Sequence, residues 1–452
     1  MELSKSFNDL NLSTPLYNAL NDLGFDTPTP IQAQAFNVIA SGKDVVGIAQ
    51  TGTGKTFAYM LPILRHLKYS KQENPRVLVL VPTRELVVQV VEEIEKLSAY
   101  INVRVLGVYG GTNINTQKRA VAEGQDIIVA TPGRLFDLAV SRVLQLKSIQ
   151  KLVIDEVDVM LDLGFRHQLL NIFDLLQRQR QNIMFSATMT EDVDELVTSF
   201  FIKPERITIA VSGTPLHNIN QQRYKVENFF TKVNLLEHLL NDRELFSKVL
   251  IFVAYKKMAD RVFDELEERF PGENCVIHSN KTQNYRLRSI EDFGSGENRI
   301  LIATDVMARG LDIDNISHVI NFDTPLFPEN YMHRIGRTGR AKQRGSALTF
   351  STEKELESIS KIQSYMNMDI ELLEFPDTVE ISKELIAEER PKIKERNNPT
   401  KIRPDEVGEA FHEKKDKNKK ENKGGSYRNK IAAKYKKPKT RGDKNYNKRR
   451  RK

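Results

Sequence analysis

Cysteine is almost absent from this chain of 452 residues. Cys275 stands alone, so no intramolecular disulfide can form and no Cys-x-x-Cys metal site can be built. Flanked by Asn274 and Val276, it is expected to be a buried apolar thiol rather than a reactive one. Long apolar runs are missing too. No stretch reaches the roughly 18 apolar residues that a membrane span requires. The opening Met1-Glu2-Leu3-Ser4-Lys5-Ser6-Phe7 lacks the apolar core of a secretory signal. These absences exclude a disulfide-stapled scaffold and a helical membrane protein. The expectation is a soluble, cytoplasmic protein without a membrane partner.

What is present is enough for large cores. Apolar residues make up 40%, and the length allows two or three domains at roughly 150 residues each. The net charge of +8 hides an uneven distribution. Residues 391–452 hold 24 Lys and Arg against 8 Asp and Glu, a net of +16, so residues 1–390 carry −8. The tail is rich in Lys, Asn, Gly and Arg, as in Lys414-Lys415-Asp416-Lys417-Asn418-Lys419-Lys420. It cannot bury enough apolar surface to offset the entropy of ordering, so a disordered basic C-terminal tail is expected. Tyr427, Tyr435 and Tyr446 are interleaved with the charges and can stack on bases. Nucleic acid is the expected partner, a purely solubilising tail the alternative.

The rest of the chain alternates β-branched runs with segments of helical period. The runs are 44–48, 77–81, 103–106, 126–129, 152–154 and 183–185, then 249–253, 275–277, 300–303, 318–322 and 347–350. Continuous Val/Ile/Leu runs separated by helices, such as the one expected over 85–99, indicate α/β domains with parallel sheets buried on both faces. The rhythm breaks around Val211-Ser212-Gly213-Thr214-Pro215-Leu216. The expected organisation is therefore a first domain over 1–210, a linker at 211–217 and a second domain over 218–370. A helical extension follows over 371–390, centred on Val379 to Glu389, and then the tail at 391–452.

Chemistry concentrates at strand ends. Ala49-Gln50-Thr51-Gly52-Thr53-Gly54-Lys55-Thr56 lies between a strand and a helix and matches the P-loop except for Ala49 in place of the first Gly. Backbone N–H groups from Gly52 to Thr56 can wrap a phosphate at a helix N-terminus. Lys55 can neutralise β/γ oxygens, and the Thr56 hydroxyl can ligate Mg²⁺. The strand at 151–154 runs into Asp155-Glu156-Val157-Asp158. Asp155 can hold Mg²⁺ through water, and Glu156 can take a proton from an attacking water. Alone, such acids are as readily helix caps as functional groups; beside a P-loop they read as the metal and base positions. Ser186-Ala187-Thr188 closes another strand, where hydroxyls face a ligand crevice. In the second domain, Arg337 and Arg340 stand one helical turn apart within His333-Arg334-Ile335-Gly336-Arg337-Thr338-Gly339-Arg340, spaced to reach a γ-phosphate. A polar cluster from Ala303 to Asp312 ends another strand. Phosphate chemistry seated in one domain and arginines in the other imply a cleft completed only by closure.

In this combination and order, over about residues 7–350, the chain resembles the DEAD-box RNA helicases, RNA-dependent ATPases built from two tandem RecA-like domains. The resemblance implies roles that spacing alone does not give. The segment Gly24-Phe25-Asp26-Thr27-Pro28-Thr29-Pro30-Ile31-Gln32, with Phe7 upstream, is similar to the family's adenine-selecting motif. Phe25 would then stack on adenine, Gln32 would bond its edge, and Phe7 and Thr27 would complete the pocket. Gln50, Thr51, Gly52, Thr53, Gly54, Lys55 and Thr56 would hold the phosphates of ATP, and Gly310 and Asp312 the ribose side. Pro82, Thr83, Arg84, Gly110, Gly111, Thr131, Pro132, Arg134 and Thr304 match RNA-contacting positions, with Phe252, His278, Gln283 and Arg286 in neighbouring segments. His333, Arg337 and Arg340 would act with Lys55, Asp155 and Glu156 in catalysis, and Asp158, Ser186 and Thr188 would couple closure to RNA. Val157 departs from the family's Ala. If it points into the lobe, only packing changes.

The reading is an ATP-dependent RNA helicase using ATP and Mg²⁺, for which nothing in the motifs requires an oligomer. The alternatives are an ATP-gated RNA clamp with little unwinding, a DNA-translocating motor, and a P-loop kinase.

Overall fold

The computed structural model describes residues 6–49, 52–209, 218–305, 313, 315–339 and 344–390. Among these, the chain opens with a 3-10 turn, Phe7–Leu10, followed by α1 (Thr14–Asp22), α2 (Pro30–Ala40), β1 (Val45–Ile48) and α3 (Lys55–His66). The alternation continues through β2 (Val77–Leu80), α4 (Arg84–Leu97), β3 (Val105–Val108), α5 (Ile114–Ala122), β4 (Ile127–Ala130) and α6 (Pro132–Val140). The first lobe closes with β5 (Lys151–Ile154), α7 (Val157–Asp162), α8 (Arg166–Leu175), β6 (Gln181–Ser186), α9 (Glu191–Phe200) and β7 (Glu205–Thr208).

The second lobe repeats the scheme. It runs β8 (Ile219–Lys225), α10 (Phe229–Leu240), β9 (Val249–Val253), α11 (Lys256–Arg269), β10 (Asn274–Ile277), α12 (Gln283–Ser295) and β11 (Ile300–Thr304). Then come β12 (His318–Asn321), α13 (Pro328–Ile335), β13 (Gly345–Ser351), α14 (Leu356–Met366) and β14 (Glu371–Leu373).

Each lobe is built on one parallel seven-stranded sheet. The orders are β3-β4-β2-β5-β6-β1-β7 and β10-β11-β9-β12-β13-β8-β14. Central strands carry runs of apolar residues pointing to both sides because both faces are covered, with polar residues confined mostly to their ends. Val45, Val79, Val129, Val153 and Ile183 enter one core, and their neighbours Val46, Leu78, Ile128, Leu152 and Met184 enter the opposite one. The second sheet sorts the same way, with Val249, Ile251 and Ile302 on one face and Leu250, Phe252 and Leu301 on the other. Cys275 is in this second group, buried as expected. Because all strands run in one direction, every strand-to-helix turn lies on the same edge. The expected functional residues therefore gather at the two carboxyl edges.

Several boundaries differ from the pattern-based expectation. The run at 103–106 is displaced, and the strand is Val105–Val108. β7 and β14 are short edge strands with mostly exposed residues, so they carry no continuous apolar run. β8 buries Ile219, Gln221 and Tyr224 between polar positions and was hidden for that reason. The expected helix at 379–389 does not form. β14 extends the second sheet past residue 370, and the chain from 374 to 390 is irregular. The expected linker at 211–217 and the tail lie outside the described residues.

Candidate functional site

The phosphate loop takes the conformation its glycines allow. Gly54 caps α3 at φ 80°, a left-handed conformation in which a Cβ would come within 2.4 Å of the Gln32 amide nitrogen. Thr29 and Gln32 brace this loop from α2. The Thr29 hydroxyl donates to the Thr53 carbonyl at 2.8 Å, and Gln32 Nε2 donates to the Gly54 carbonyl at 3.1 Å. Gln32 Oε1 accepts from the Thr29 N–H at 2.9 Å. Phe25 is half exposed and meets Phe57 edge-on at 5.3 Å, leaving a ring face open. Thr27 is exposed nearby. Phe7 differs from the expectation of a ligand-facing aromatic. It is buried in the first core with Leu10 and Ile31 and supports the segment from beneath.

The acids stand opposite. Asp155, Glu156 and Asp158 are all buried. Lys55 Nζ, also buried, lies 3.8 Å from Asp155 Oδ1, and Asp155 accepts from the Glu156 N–H at 2.9 Å. Glu156 has φ 51° and ψ 49° at the start of α7, a conformation rare for a residue with a side chain. Burial pushes the Asp155 and Glu156 carboxyls up, and the Lys55 charge opposes the shift at both. Lys55 Nζ and Glu156 Oε2 are buried without a hydrogen-bond partner among the described residues. Buried polar atoms of this kind need a partner, and a triphosphate with a divalent cation and water would supply it. The residues therefore fit Mg²⁺-ATP. Tyr59 was not legible as a site residue. One turn after Thr56, it is wholly buried, and its hydroxyl lies against Thr56 and Asp155.

Val157 points the other way. It is fully buried in the first lobe's core with Met160 and Met184, so the departure from Ala adds volume to packing and nothing to the site.

Asp158 joins this site to a neighbouring strand end. Its Oδ2 accepts from the Ala187 N–H at 3.1 Å, the Thr188 N–H at 2.9 Å and the Thr188 hydroxyl at 2.9 Å. Ser186 Oγ donates to the Thr188 carbonyl at 2.6 Å. From the second lobe, His333 Nε2 lies 3.9 Å from Asp158 Oδ2. Burial alone would raise the Asp158 carboxyl, but the His333 and Lys55 charges and the Thr188 hydrogen bonds outweigh it and hold it low. Arg337 is buried, with Nε donating to the His333 carbonyl at 3.3 Å, and its charge is felt at Glu156. Arg334, between them, is a tether. It binds Asp305 at 2.5 and 2.9 Å and lies 5.2 Å over the Phe252 ring. A cavity of about 580 Å³ opens beside this contact, lined by Asp158, Thr188, Thr304, Phe327 and His333 among others.

The segments expected to touch RNA collect at the carboxyl ends of β2, β3 and β4. Pro82 precedes Thr83, which caps α4 by accepting from the Leu86 N–H at 3.3 Å. The Arg84 guanidinium lies on Gly110-Gly111 so closely that a Cβ at Gly111 would sit 2.0 Å from Nη1. Thr131 and Pro132 start α6, and Arg134 reaches Gln117 at 2.7 Å and the Thr112 carbonyl at 3.0 Å. Across the lobes, Glu85 Oε1 accepts from Gln283 Nε2 at 3.1 Å and pairs with Arg286 at 3.2 Å. Glu85 was not singled out from sequence. His278 is buried and bonded to Asp260 at 2.8 Å, away from these groups. Gln50, Thr51, Gly310, Asp312 and Arg340 lie outside the described residues.

Comparison with known proteins gives the same answer from a different direction. Residues 29–196 match the family model of the DEAD/DEAH box helicase, and residues 231–342 that of the helicase conserved C-terminal domain. The chain is 38% identical over 375 residues to DEAD-box ATP-dependent RNA helicase CshA of Bacillus subtilis, an alignment covering 82% of this chain and 74% of that one. This chain belongs to the DEAD-box ATP-dependent RNA helicase family.

A second member of the family, ATP-dependent RNA helicase DeaD of Buchnera aphidicola, is 40% identical over 379 residues, 84% of this chain but 62% of its own length. Among solved structures, S. cerevisiae Dbp5 bound to RNA and ADP BeF3 aligns with TM-score 0.75 at 28% identity, over 82% of this chain and 96% of that one. Mss116p bound to ssRNA and AMP-PNP aligns with TM-score 0.75 at 27% identity, over 83% and 80%. These two-domain helicases share the tandem α/β architecture. No helix among the described residues is long and apolar enough to cross a membrane.

Proposed function

We propose that this DEAD-box protein is an RNA-stimulated ATPase that couples lobe closure to bending and local unwinding of RNA duplexes. The observation that carries this reading is the convergence of Lys55, Asp155 and Glu156 from one lobe with His333 and Arg337 from the other around one buried site. The ligands printed for the aligned structures, RNA with ADP BeF3 and ssRNA with AMP-PNP, support it.

In this reading, Phe25 stacks on adenine from the exposed side of α2, and Gln32 bonds the adenine edge while steadying Gly54. Backbone N–H groups of Gly52 to Thr56 and the Lys55 ammonium hold the phosphates. Thr56 and Asp155 would hold Mg²⁺, which when bound neutralises charge on the transferred phosphoryl group. Glu156 orients the attacking water and accepts its proton. A raised carboxyl suits that task, since a base is most useful near the working pH. Arg337, with Arg340, stabilises charge on the γ-phosphate.

Closure depends on RNA because the same movement that brings Arg337 to Glu156 brings Gln283 and Arg286 to Glu85. Arg84, Gly110, Gly111, Thr131, Arg134 and Thr304 then face one crevice, and contacts of this kind grip phosphates and 2′-hydroxyls without reading sequence. The basic tail adds affinity by neutralising phosphates. The test is ATP hydrolysis without nucleic acid, with single-stranded RNA and with DNA of matched sequence, at fixed salt. Strong stimulation by RNA alone is expected. A rate indifferent to RNA would remove the coupling, and hydrolysis without strand separation in an unwinding assay would leave an ATP-gated clamp.

A further inference from the structure

A tyrosine hydroxyl buried in a core is unfavourable there unless it finds a hydrogen-bond partner. Two tyrosines among the described residues are wholly buried, Tyr59 and Tyr331. Tyr331 meets the requirement inside the second lobe, where its hydroxyl donates to Gln221 Oε1 at 3.1 Å. Tyr59 does not. Its hydroxyl makes no hydrogen bond of ordinary geometry among the described residues, and the side chains of Thr56 and Asp155 stand within reach of it.

The ring is held in place by the sheet. It packs against Phe185 of β6 with centroids 5.7 Å apart. Phe185 lies in register with Gly47 of β1, where a Cβ would come within 2.4 Å of the Phe185 ring. Gly47 thus leaves room for Phe185, and Phe185 backs the Tyr59 ring. On α3, Thr56 and Tyr59 are three residues apart and share one face of the helix. Asp155 directly follows β5. The Tyr59 hydroxyl therefore sits between the start of α3 and the end of β5. A phenylalanine would fill the same space and leave no polar atom to satisfy. The oxygen serves the groups around it, not the packing.

Those groups are the two that would hold Mg²⁺. Asp155 Oδ1 already accepts from the Glu156 N–H at 2.9 Å and lies 3.8 Å from Lys55 Nζ. A threonine hydroxyl can face a cation only with a lone pair, so its hydrogen must point elsewhere. A carboxylate only accepts, whereas a phenol both accepts and donates. The order of donation is thereby fixed, from Thr56 to Tyr59 and from Tyr59 to Asp155. We propose that Tyr59 is a positioning residue for Mg²⁺-ATP, whose hydroxyl accepts from Thr56 and donates to Asp155 and so turns a Thr56 lone pair and an Asp155 oxygen toward the cation. Tyr59 acts through these two side chains. The proposal rests on the reading that Mg²⁺-ATP occupies this site.

The test uses the full chain with Tyr59→Phe, which removes only the oxygen. Binding of a fluorescent, non-hydrolysable ATP analogue is measured without RNA, over a series of Mg²⁺ concentrations and in excess chelator. Bound Mn²⁺ is counted in parallel by paramagnetic resonance with the same analogue. Removing a group behind a metal ligand typically weakens metal binding about 10–100-fold. The variant is therefore expected to need about tenfold more Mg²⁺ and to hold Mn²⁺ about tenfold more weakly, with its affinity for the analogue in chelator within about twofold of wild type. Its denaturant midpoint should be no lower, since no hydrogen bond is lost from the fold. Tyr331→Phe is the structural control. It leaves Gln221 Oε1 unpaired, so it should lower the midpoint and leave the Mg²⁺ dependence unchanged.

A Tyr59→Phe chain with wild-type dependence on Mg²⁺ and Mn²⁺ would overturn the positioning role and leave the Mg²⁺-ATP reading intact. Equal loss of affinity for the analogue with and without Mg²⁺ would overturn it too, because the hydroxyl would then act on the fold of the loop and not on the cation. A wild-type chain that binds the analogue indifferently to Mg²⁺ and holds no Mn²⁺ would instead remove the Mg²⁺-ATP reading, and the positioning role with it.

Discussion

Gln283 of the second lobe donates to the Glu85 carboxylate of the first at 3.1 Å, across 198 residues of chain. Arg286 reaches the same carboxylate oxygen at 3.2 Å and also bonds Gln283. Both charged side chains are about 5% exposed in this arrangement. In the proposed cycle, separation of the lobes would return both side chains to water.

Glu85→Ala and Gln283→Ala should each raise the RNA concentration needed for half-maximal ATP hydrolysis several-fold. Together they should cost little more than either alone, with a coupling energy of about 0.5–3 kcal/mol. The check is RNA-stimulated hydrolysis for the two single variants and the double. Fully additive losses would mean that the pair does not act as one latch.

Glu156→Gln should retain ATP and RNA binding while hydrolysis falls by about 10²–10⁴-fold, the usual contribution of a general base. The amide keeps the size of the side chain at a position whose backbone is held left-handed. Nucleotide binding followed by fluorescence, beside phosphate release, separates the two properties. Ordinary turnover would assign the base elsewhere.

Val157→Ala would restore the family's residue and leave the rate of hydrolysis unchanged, because this side chain is buried away from the acids on either side of it. Its price is a cavity. A loss of about 1–3 kcal/mol is expected from denaturant unfolding. A changed hydrolysis rate at unchanged stability would place Val157 in the site after all.

His318 gives the second lobe a dependence on pH. Burial beside Phe246 lowers its pKa to about 4, against an ordinary value of about 6.5. The unfolded chain therefore takes up a proton at higher pH than the folded one. Stability from this group is complete above about pH 6.5 and is lost as pH falls toward about 4. The effect is at most a few kcal/mol. Denaturant midpoints between pH 7 and 5 should fall more steeply for the wild-type chain than for His318→Gln. Parallel curves would show that the imidazole is already solvated.

The α/β class, the doubled rhythm and the phosphate loop were legible because each is carried by local pattern. A buried parallel strand needs apolar residues on both faces, and a phosphate cradle needs glycines followed by Lys and Thr. Edge strands β7 and β14 escaped because exposure removes the continuous apolar signal, and β8 escaped because polar positions alternate with its buried ones. The segment at 379–389 has apolar residues near helical spacing. Its backbone is satisfied instead by Asn228, Thr231 and Asn234, so no helix is required.

Local pattern also named Lys55, Asp155, Glu156 and Arg337, since acids and arginines at strand ends announce themselves, while Asp158 and His333 came only with the resemblance to the family. It did not show Glu85 as the partner of Gln283 and Arg286, nor Tyr59 against Asp155, nor Phe7 as a core residue. Those facts depend on which strand ends the two sheet orders bring together and which side of a helix meets its neighbour. The sequence by itself determined the kinds of groups available and the strands that would present them. The tertiary structure alone decided their partners, because the distance between groups from different lobes is set by packing and not by position along the chain.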